Sequence, residues 1–358
     1  MRKSIMLLIT YKCNLRCSYC YEPKIEGFSM SAARAKEIIT EQLELLDDNV
    51  ESVEIQFMGG EPLLEFPLIQ NVAEWIWNQN ISNRKIMLFA PTNGTLLTDE
   101  MKRWFSANKD KITLGLSFDG DVTMQNINRS NSYSKVDLNF FARTWSEQSV
   151  KMTISPETVH KLYDGVVSLH KEGFVSIAAD LAMGPNVAWT KEALLVYRDE
   201  LNKLIAFYLE NPHLIPFSML RVNVTSIVKE PTKSVKTCAC GEDMICVDWT
   251  GHSYACHLFS PVALPLEKAR RSNELYDFSN HEEFVIDKCS ECLLNTICNH
   301  CYGMNYLCTG DVKKTSPFHC SAFRLMFVAN CRFMMQKAEM NKDEALIESI
   351  NNVLKQIK

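Results

Sequence analysis

The chain has 358 residues, 46% of them apolar, with 38 Lys plus Arg against 43 Asp plus Glu and a net charge of −5. That suffices for one large domain and a smaller one, and the slightly acidic balance gives no electrostatic reason to expect a nucleic acid partner. No apolar run approaches the roughly 20 residues of a membrane-crossing helix, so no membrane partner is expected either. The start Met1-Arg2-Lys3 imitates an export signal, but its apolar run ends after about five residues at Thr10-Tyr11-Lys12, too short for one. The expected location is the cytoplasm.

From residue 5 to about 210, strand-like and helix-like segments alternate. Ile5 to Thr10 is the first strand. A helix is expected from about Ser31, with Ala35, Ile38, Ile39, Leu43 and Leu46 on one face. Val53, Ile55 and Phe57 alternate with Glu54 and Gln56 in a strand ending at Met58-Gly59-Gly60-Glu61-Pro62. Pro67 opens the next helix, burying Ile69, Val72, Ala73 and Ile76. Lys85 to Ala90 reads as strand, Thr98 as the N-cap of a helix to about Ala107, and Ile112 to Phe118 as strand. Helices over 135–148, 156–172 and about Thr190 to Leu209 follow, with strands over 151–154 and 174–179. Ser155-Pro156 and Thr190 are the expected helix starts. Six strand-then-helix units imply parallel strands with crossover helices, which a doubly wound sheet or an incomplete barrel satisfies equally. Sites in both gather beyond the carboxyl ends of the strands. The loops at 13–20 and 59–62 stand there. The tail from Arg332 to Lys358 reads as an amphipathic helix.

Fourteen cysteines without an export signal argue for metal or cluster ligation rather than disulfides. Three lie within residues 13–20, none within 21–237, and eleven within 238–331, so two metal regions flank a scaffold. Cys13, Cys17 and Cys20, spaced Cys-x3-Cys-x2-Cys, bring three thiolates to one soft metal centre and leave it one ligand short. Structural zinc closes its tetrahedron with four protein ligands, whereas a 4Fe-4S cluster on three cysteines keeps one iron open for an exogenous chelator. The competing readings are zinc with a distant fourth ligand and three unconnected buried thiols.

With Tyr19 just before the third cysteine, the loop resembles the signature of the radical S-adenosylmethionine (SAM) superfamily. The resemblance implies that SAM chelates the open iron through its amino and carboxylate groups. It further implies that one electron cleaves SAM to a 5'-deoxyadenosyl radical, which takes hydrogen from a substrate. It also decides for a partial (β/α)6 TIM-like barrel. Gly59-Gly60-Glu61-Pro62, by itself an ordinary turn, resembles the family's GGEP motif, whose glycine backbone holds the SAM amino group. Pro91-Thr92-Asn93-Gly94-Thr95-Leu96-Leu97 and Ser117-Phe118-Asp119-Gly120, with Arg129 twelve residues after Ser117, resemble segments of peptide-modifying members, among them anaerobic sulfatase-maturating enzymes. The serine and arginine there contact SAM. Tyr19, Gly59, Gly60, Glu61, Ser117, Arg129 and Leu181, the last at the end of the sixth strand, are the expected cofactor-binding residues. The blander alternatives are a strand-ending turn at Asp119-Gly120 and a surface cation at Arg129.

The second cysteine region resembles the SPASM extension of radical SAM proteins, which normally binds two auxiliary 4Fe-4S clusters. Gly251 stands five residues before Cys256, and Cys289, Cys292, Cys298 and Cys301 follow. Carried over, the pattern assigns Cys240, Cys246, Cys256 and Cys301 to one cluster and Cys289, Cys292, Cys298 and Cys320 to the other. Cys298-Asn299-His300-Cys301 is one residue shorter than the family spacing, so Cys238, Cys308 or His300 stand as substitutes for Cys301. Cys238, Cys308 and Cys331 are otherwise expected as buried thiols. A pair of zinc sites is the competing reading. The expected domains are a barrel over 1–215, a linker over 216–237, the SPASM region over 238–331 and a final helix over 332–358.

SPASM-bearing members mostly modify peptides or proteins, so the expected activity is maturation of a ribosomally made peptide by a crosslink or other oxidative change. The first alternative is sulfatase maturation, in which the residue after the third auxiliary cysteine is an aspartate base. Here it is His257, a candidate base or a structural residue capped by a carbonyl. A non-enzymatic iron-sulfur electron carrier is the second alternative. The expected partners are a peptide or protein substrate and a reductant such as a flavodoxin or ferredoxin. Because the first strand begins four residues into the chain, no N-terminal leader-recognition domain is expected, and a separate leader-peptide-binding protein is a further candidate partner.

Overall fold

The computed structural model describes every residue except 24–27, 80, 230–235 and 358, and leaves aside the side chains of residues 228, 229 and 317. The strands are β1 (Arg2–Thr10), β2 (Ser52–Gly59), β3 (Lys85–Thr92), β4 (Ile112–Leu116), β5 (Val150–Ile154), β6 (Ile177–Leu181), β7 (Met244–Val247) and β8 (Ser253–Tyr254). The first seven helices are α1 (Ala32–Glu44), α2 (Phe66–Asn78), α3 (Asp99–Ala107), α4 (Val122–Asn128), α5 (Leu138–Thr144), α6 (Leu162–Lys171) and α7 (Lys191–Glu210). Then come α8 (Ser226–Lys229), α9 (Leu266–Leu275), α10 (Asp287–Ser290), α11 (Tyr302–Thr309), α12 (Pro317–Asn341) and α13 (Glu344–Gln356). They form two compact units, one of residues 1–117, 129–148 and 239–283, the other of 118–128, 149–238 and 284–358.

In the first unit one sheet runs β4-β3-β2-β1-β7-β8. β1 is central and buried without interruption from Ile5 to Thr10. A strand covered on both faces must be apolar throughout, which is why this run does not alternate. Parallel pairing aligns Ile5 with Ile55 and Leu7 with Phe57, so β1 and β2 end side by side. Ser31 and Thr98 cap α1 and α3 through their side-chain oxygens, satisfying first-turn amides. Leu46, expected on the buried face of the first helix, lies beyond its end at Leu45 and is half-buried.

The sequence reading did not foresee β7, which pairs parallel to β1 from Ser4 to Leu7. Antiparallel β8 follows it through a turn at Asp248–His252. The buried Asp248 carboxylate accepts from the Thr250 amide, 2.9 Å, and the Tyr254 hydroxyl, 2.9 Å. Gly251 adopts φ +86°, and a Cβ there would lie 2.4 Å from Arg34 Nη2. Arg34 in turn donates to the carbonyls of Trp249 and Thr250. The glycine five residues before Cys256 therefore serves the turn of a cysteine-bearing hairpin.

In the second unit β5 and β6 form a separate parallel pair, Val150 opposite Ile177 and Ile154 opposite Leu181. α12 packs on α7 and α13. The expected helix over 135–148 shrinks to α5, because the Asp137 side chain caps it at Phe140, and α4 was not foreseen. The helix expected from 156 begins at Leu162. Ser155 does not cap it, since its hydroxyl donates to buried Asn128, 2.8 Å away. The sixth strand lies about three residues beyond the expected one, at Ile177–Leu181. The tail is two helices rather than one: α12 begins at residue 317 and stops at Lys342, φ 56°, and Asp343 caps α13. Among the described residues no helix is long and apolar enough to cross a membrane.

Candidate metal and cofactor site

The loop after β1 holds Cys13, Cys17 and Cys20, all half-buried and none in a disulfide. Its shape is fixed from several sides. Leu15, 2% exposed, anchors it in the core. The Cys20 amide donates to the Cys17 carbonyl, 3.1 Å, and the Arg16 amide to Ser130 Oγ, 2.8 Å. Asn14 donates to Thr95 Oγ1 at 2.7 Å and accepts from Asn93 Nδ2 at 2.9 Å. Sequence reasoning quoted the Thr92-Asn93-Gly94-Thr95 stretch without seeing that it brackets the cysteine loop.

Gly59 and Gly60 are required by this loop's own backbone. A Cβ on Gly59 would fall 2.0 Å from the Thr10 carbonyl oxygen, and one on Gly60 2.4 Å from that of Lys12. The Gly60 amide donates to Thr10 O at 3.2 Å and the Glu61 amide to Lys12 O at 2.8 Å. Glu61, 1% exposed, accepts from the Asn93 amide at 2.7 Å, Thr92 Oγ1 at 2.8 Å and the Leu63 amide at 3.0 Å. Burial pushes its pKa up, while those bonds and the Arg129 charge oppose the rise. Its carboxylate is thus a brace tying the glycine loop to the β3 loop.

Arg129 is 7% exposed, which removes the surface-cation reading. Its guanidinium carbon lies 5.6 Å from the Tyr19 ring centroid, within the range of a cation–π contact. Ser117, half-buried at the end of β4, donates its amide to Thr92 O at 2.8 Å. Tyr19, Gly59, Gly60, Glu61, Ser117 and Arg129 therefore all belong to the unit that carries the cysteine loop. Leu181, half-buried at the end of β6, belongs to the other. So does Asp119, buried and accepting from the Thr153 amide, 3.0 Å, and from Asn128, 3.2 Å. Gly120 is likewise structural: at φ +96° its Cβ would meet the Gly165 Cα at 2.7 Å.

Of the auxiliary cysteines, Cys240, Cys246 and Cys256 are buried in the first unit, around the β7–β8 hairpin. Burial and then the neighbouring Cys256 push the Cys246 thiol well up, with Ser260 opposing. Cys301 belongs to the second unit, at the start of α11. The residue is exposed; amide donors at Met304 and Gly303 lie at its sulfur, and Cys238 and Asp180 are its charged neighbours. Cys289, Cys292, Cys298 and Cys320 also belong there. Cys298 is pushed up to about 12, first by burial and then by its neighbours Cys289, Cys320 and Cys292. Such thiols stay protonated alone and ionise on a cation, so this donor set fits a metal centre.

His257 follows Cys256 and lies 6.1 Å, ring to ring, from Tyr21. Its Nδ1 is buried with no hydrogen-bond partner, so no carbonyl caps that nitrogen. Burial lowers its pKa to about 4, leaving a neutral but weakly basic imidazole. Cys331 packs with Val224, Ile227, Phe327 and Val353 as a core thiol. Cys308 corrects the expectation of burial: it is exposed, because α11 buries Tyr302 to Tyr306 and turns position 308 outward. Cys238 is half-buried.

Comparison with known proteins agrees with this geometry. Residues 7–138 match the Radical SAM superfamily. A cysteine-type anaerobic sulfatase-maturating enzyme of Clostridium perfringens is 26% identical over 42% of this chain and 44% of its own. The radical SAM cyclopropyl synthase TigE of Paramaledivibacter caminithermalis is 22% identical over 87% of this chain and 69% of its own. An uncharacterized Methanocaldococcus jannaschii protein is 39% identical over 33% of this chain and 39% of its own. The chain thus spans about two fifths of the length of two of these three relatives. Among solved structures, anSMEcpe with bound AdoMet superposes with a TM-score of 0.72 at 18% identity, covering 97% of this chain and 98% of that one. Streptococcus suis SuiB bound to its precursor peptide SuiA gives 0.58 at 16% identity, covering 89% and 76%. Loop and family match mark residues 7–138 as a radical SAM domain, a class that implies a 4Fe-4S cluster and SAM. The fold over nearly the whole chain is that of anSMEcpe, and SuiB shares it over most of the chain.

Proposed function

We propose that the chain is a peptide maturase that abstracts hydrogen from a ribosomally made peptide and installs a crosslink or related oxidative change. The observation that carries this reading is the cysteine loop braced against Gly59-Gly60-Glu61, with Arg129 over Tyr19 in the same unit. The cluster and SAM supply a 5'-deoxyadenosyl radical when bound, and the protein supplies position and exclusion of water.

Cys13, Cys17 and Cys20 hold the cluster. The Gly60 and Glu61 amides are spent on Thr10 and Lys12, so the glycine loop meets the SAM amino group, a donor, through carbonyls. Arg129 offers a fork donor to the SAM carboxylate, and Ser117 a hydroxyl to its ribose. Cys240, Cys246, Cys256 and Cys301 would hold one auxiliary cluster and Cys289, Cys292, Cys298 and Cys320 a second, which would supply an acceptor for the electron left when the product bond closes. The structures of anSMEcpe with a Cp18Cys peptide and of SuiB with SuiA support a peptide as substrate. The proposed partners are a flavodoxin- or ferredoxin-type reductant and a separate leader-binding protein.

Sulfatase maturation is the second reading, favoured by a fold match over nearly the whole of both chains. His257 in place of the expected aspartate base weighs against it. The test is mass spectrometry of precursor and sulfatase-derived cysteine peptides after incubation with reduced enzyme and SAM. Loss of a hydrogen pair from a precursor is expected. Conversion of a cysteine to an aldehyde with loss of its sulfur would put the second reading first.

A further inference from the structure

The second unit holds a compact set of metal-ligating atoms of which an all-cysteine cluster uses only Cys298. Cys298 Sγ and one ring nitrogen from each of His300 and His319 all lie within 4.8 Å of one another. Cys298 Sγ is 3.4 Å from His319 Nε2, and the two imidazole centroids are 5.2 Å apart. An ion with thiolate at ~2.3 Å and imidazole at ~2.05 Å in tetrahedral array separates sulfur and nitrogen by about 3.6 Å. The observed hydrogen-bonded spacing matches that of two corners of one coordination sphere. Each iron of a 4Fe-4S cluster takes one protein ligand, so atoms this close do not serve two irons.

His300 supplies an independent observation. The residue is 7% exposed, and neither ring nitrogen has a hydrogen-bond partner. Buried polar groups are almost always satisfied, and an orphaned imidazole calls for an explanation such as an ion. The backbone around both histidines is held: the His300 amide donates to Thr237 Oγ1 at 3.3 Å and the His319 amide to Ser316 O at 3.1 Å. Lys288 is the cation facing both rings, and the thiols of Cys298, Cys289, Cys292 and Cys320 offset it once ionised.

We propose that Cys298, His300 and His319 form a mononuclear site for a borderline-soft divalent cation of the zinc type. Its fourth position is left to water or to one of Cys289, Cys292 and Cys320. Binding releases the Cys298 thiol proton to solvent and forms one metal–sulfur and two metal–nitrogen bonds. The ion and the second auxiliary cluster then compete for Cys298.

Cadmium NMR tests this, because each site in the full-length chain gives its own resonance. The iron-free, anaerobic, reduced protein is loaded with cadmium alone. One resonance in the mixed sulfur–nitrogen range is expected, kept in a Cys13→Ala/Cys17→Ala/Cys20→Ala variant and lost in His300→Ala/His319→Ala. Zinc is expected to displace it. A wild-type spectrum with only all-thiolate resonances overturns the proposal, with no variant needed. Survival of the mixed resonance in the double histidine variant also overturns it.

Discussion

Replacing Glu61 by alanine leaves the Asn93 and Leu63 amides and the Thr92 hydroxyl without their acceptor. Buried donors left unpaired cost about 1–3 kcal/mol each at most sites, and partial access to water reduces the sum. Glu61→Ala is expected to destabilise the protein by roughly 2–4 kcal/mol in urea unfolding. Glu61→Gln is expected to lose less but still measurably, because its NH2 group faces a donor. A glutamine variant as stable as wild type would contradict the brace. Gly60→Ala acts instead on the cluster, since its Cβ would press on the Lys12 carbonyl at 2.4 Å. About four fewer irons per reconstituted chain are expected. Full iron loading would show that the loop tolerates the displacement.

The α6–α7 pair carries a pH dependence of its own. His170 Nδ1 is 3.0 Å from Phe174 O, and its Nε2 is 2.9 Å from Tyr208 Oη. Burial holds its pKa below the ordinary value, the Phe174 carbonyl opposing and His213 adding to the fall. The folded form therefore resists the proton that the unfolded chain takes up below about pH 6.5. Stability contributed by neutral His170 is complete above that pH and is lost as pH falls towards the folded pKa. Thermal unfolding from pH 7.5 to 5 is expected to show a falling Tm, less steep in His170→Gln. Equal slopes would remove His170 as the cause. At this scale the sequence was legible where caps are local: Ser31, Thr98 and Thr190 all start helices as read. It failed at Ser155 and at β7. The partners there, Asn128 and β1, lie far along the chain, and no local pattern announces them.

For the whole molecule, the spacing of Cys13, Cys17 and Cys20 announced the radical SAM domain, and the strand pattern placed the cysteine and glycine loops after β1 and β2. What was illegible is how the parts are braced, through Asn14, Asn93 and Ser130, because single polar residues in loops carry no periodicity. His319 was overlooked because a single polar residue in the first turn of a helix announces no partner. The central claim is SAM-dependent radical chemistry at the cysteine loop. It is tested most directly by 5'-deoxyadenosine formation from SAM by anaerobically reconstituted, chemically reduced protein, beside a Cys13→Ala/Cys17→Ala/Cys20→Ala variant. Product from wild type and none from the variant is expected, with about 12 irons per wild-type chain for three four-iron clusters. No product from a fully loaded wild type would contradict the account and leave an iron-sulfur electron carrier in its place.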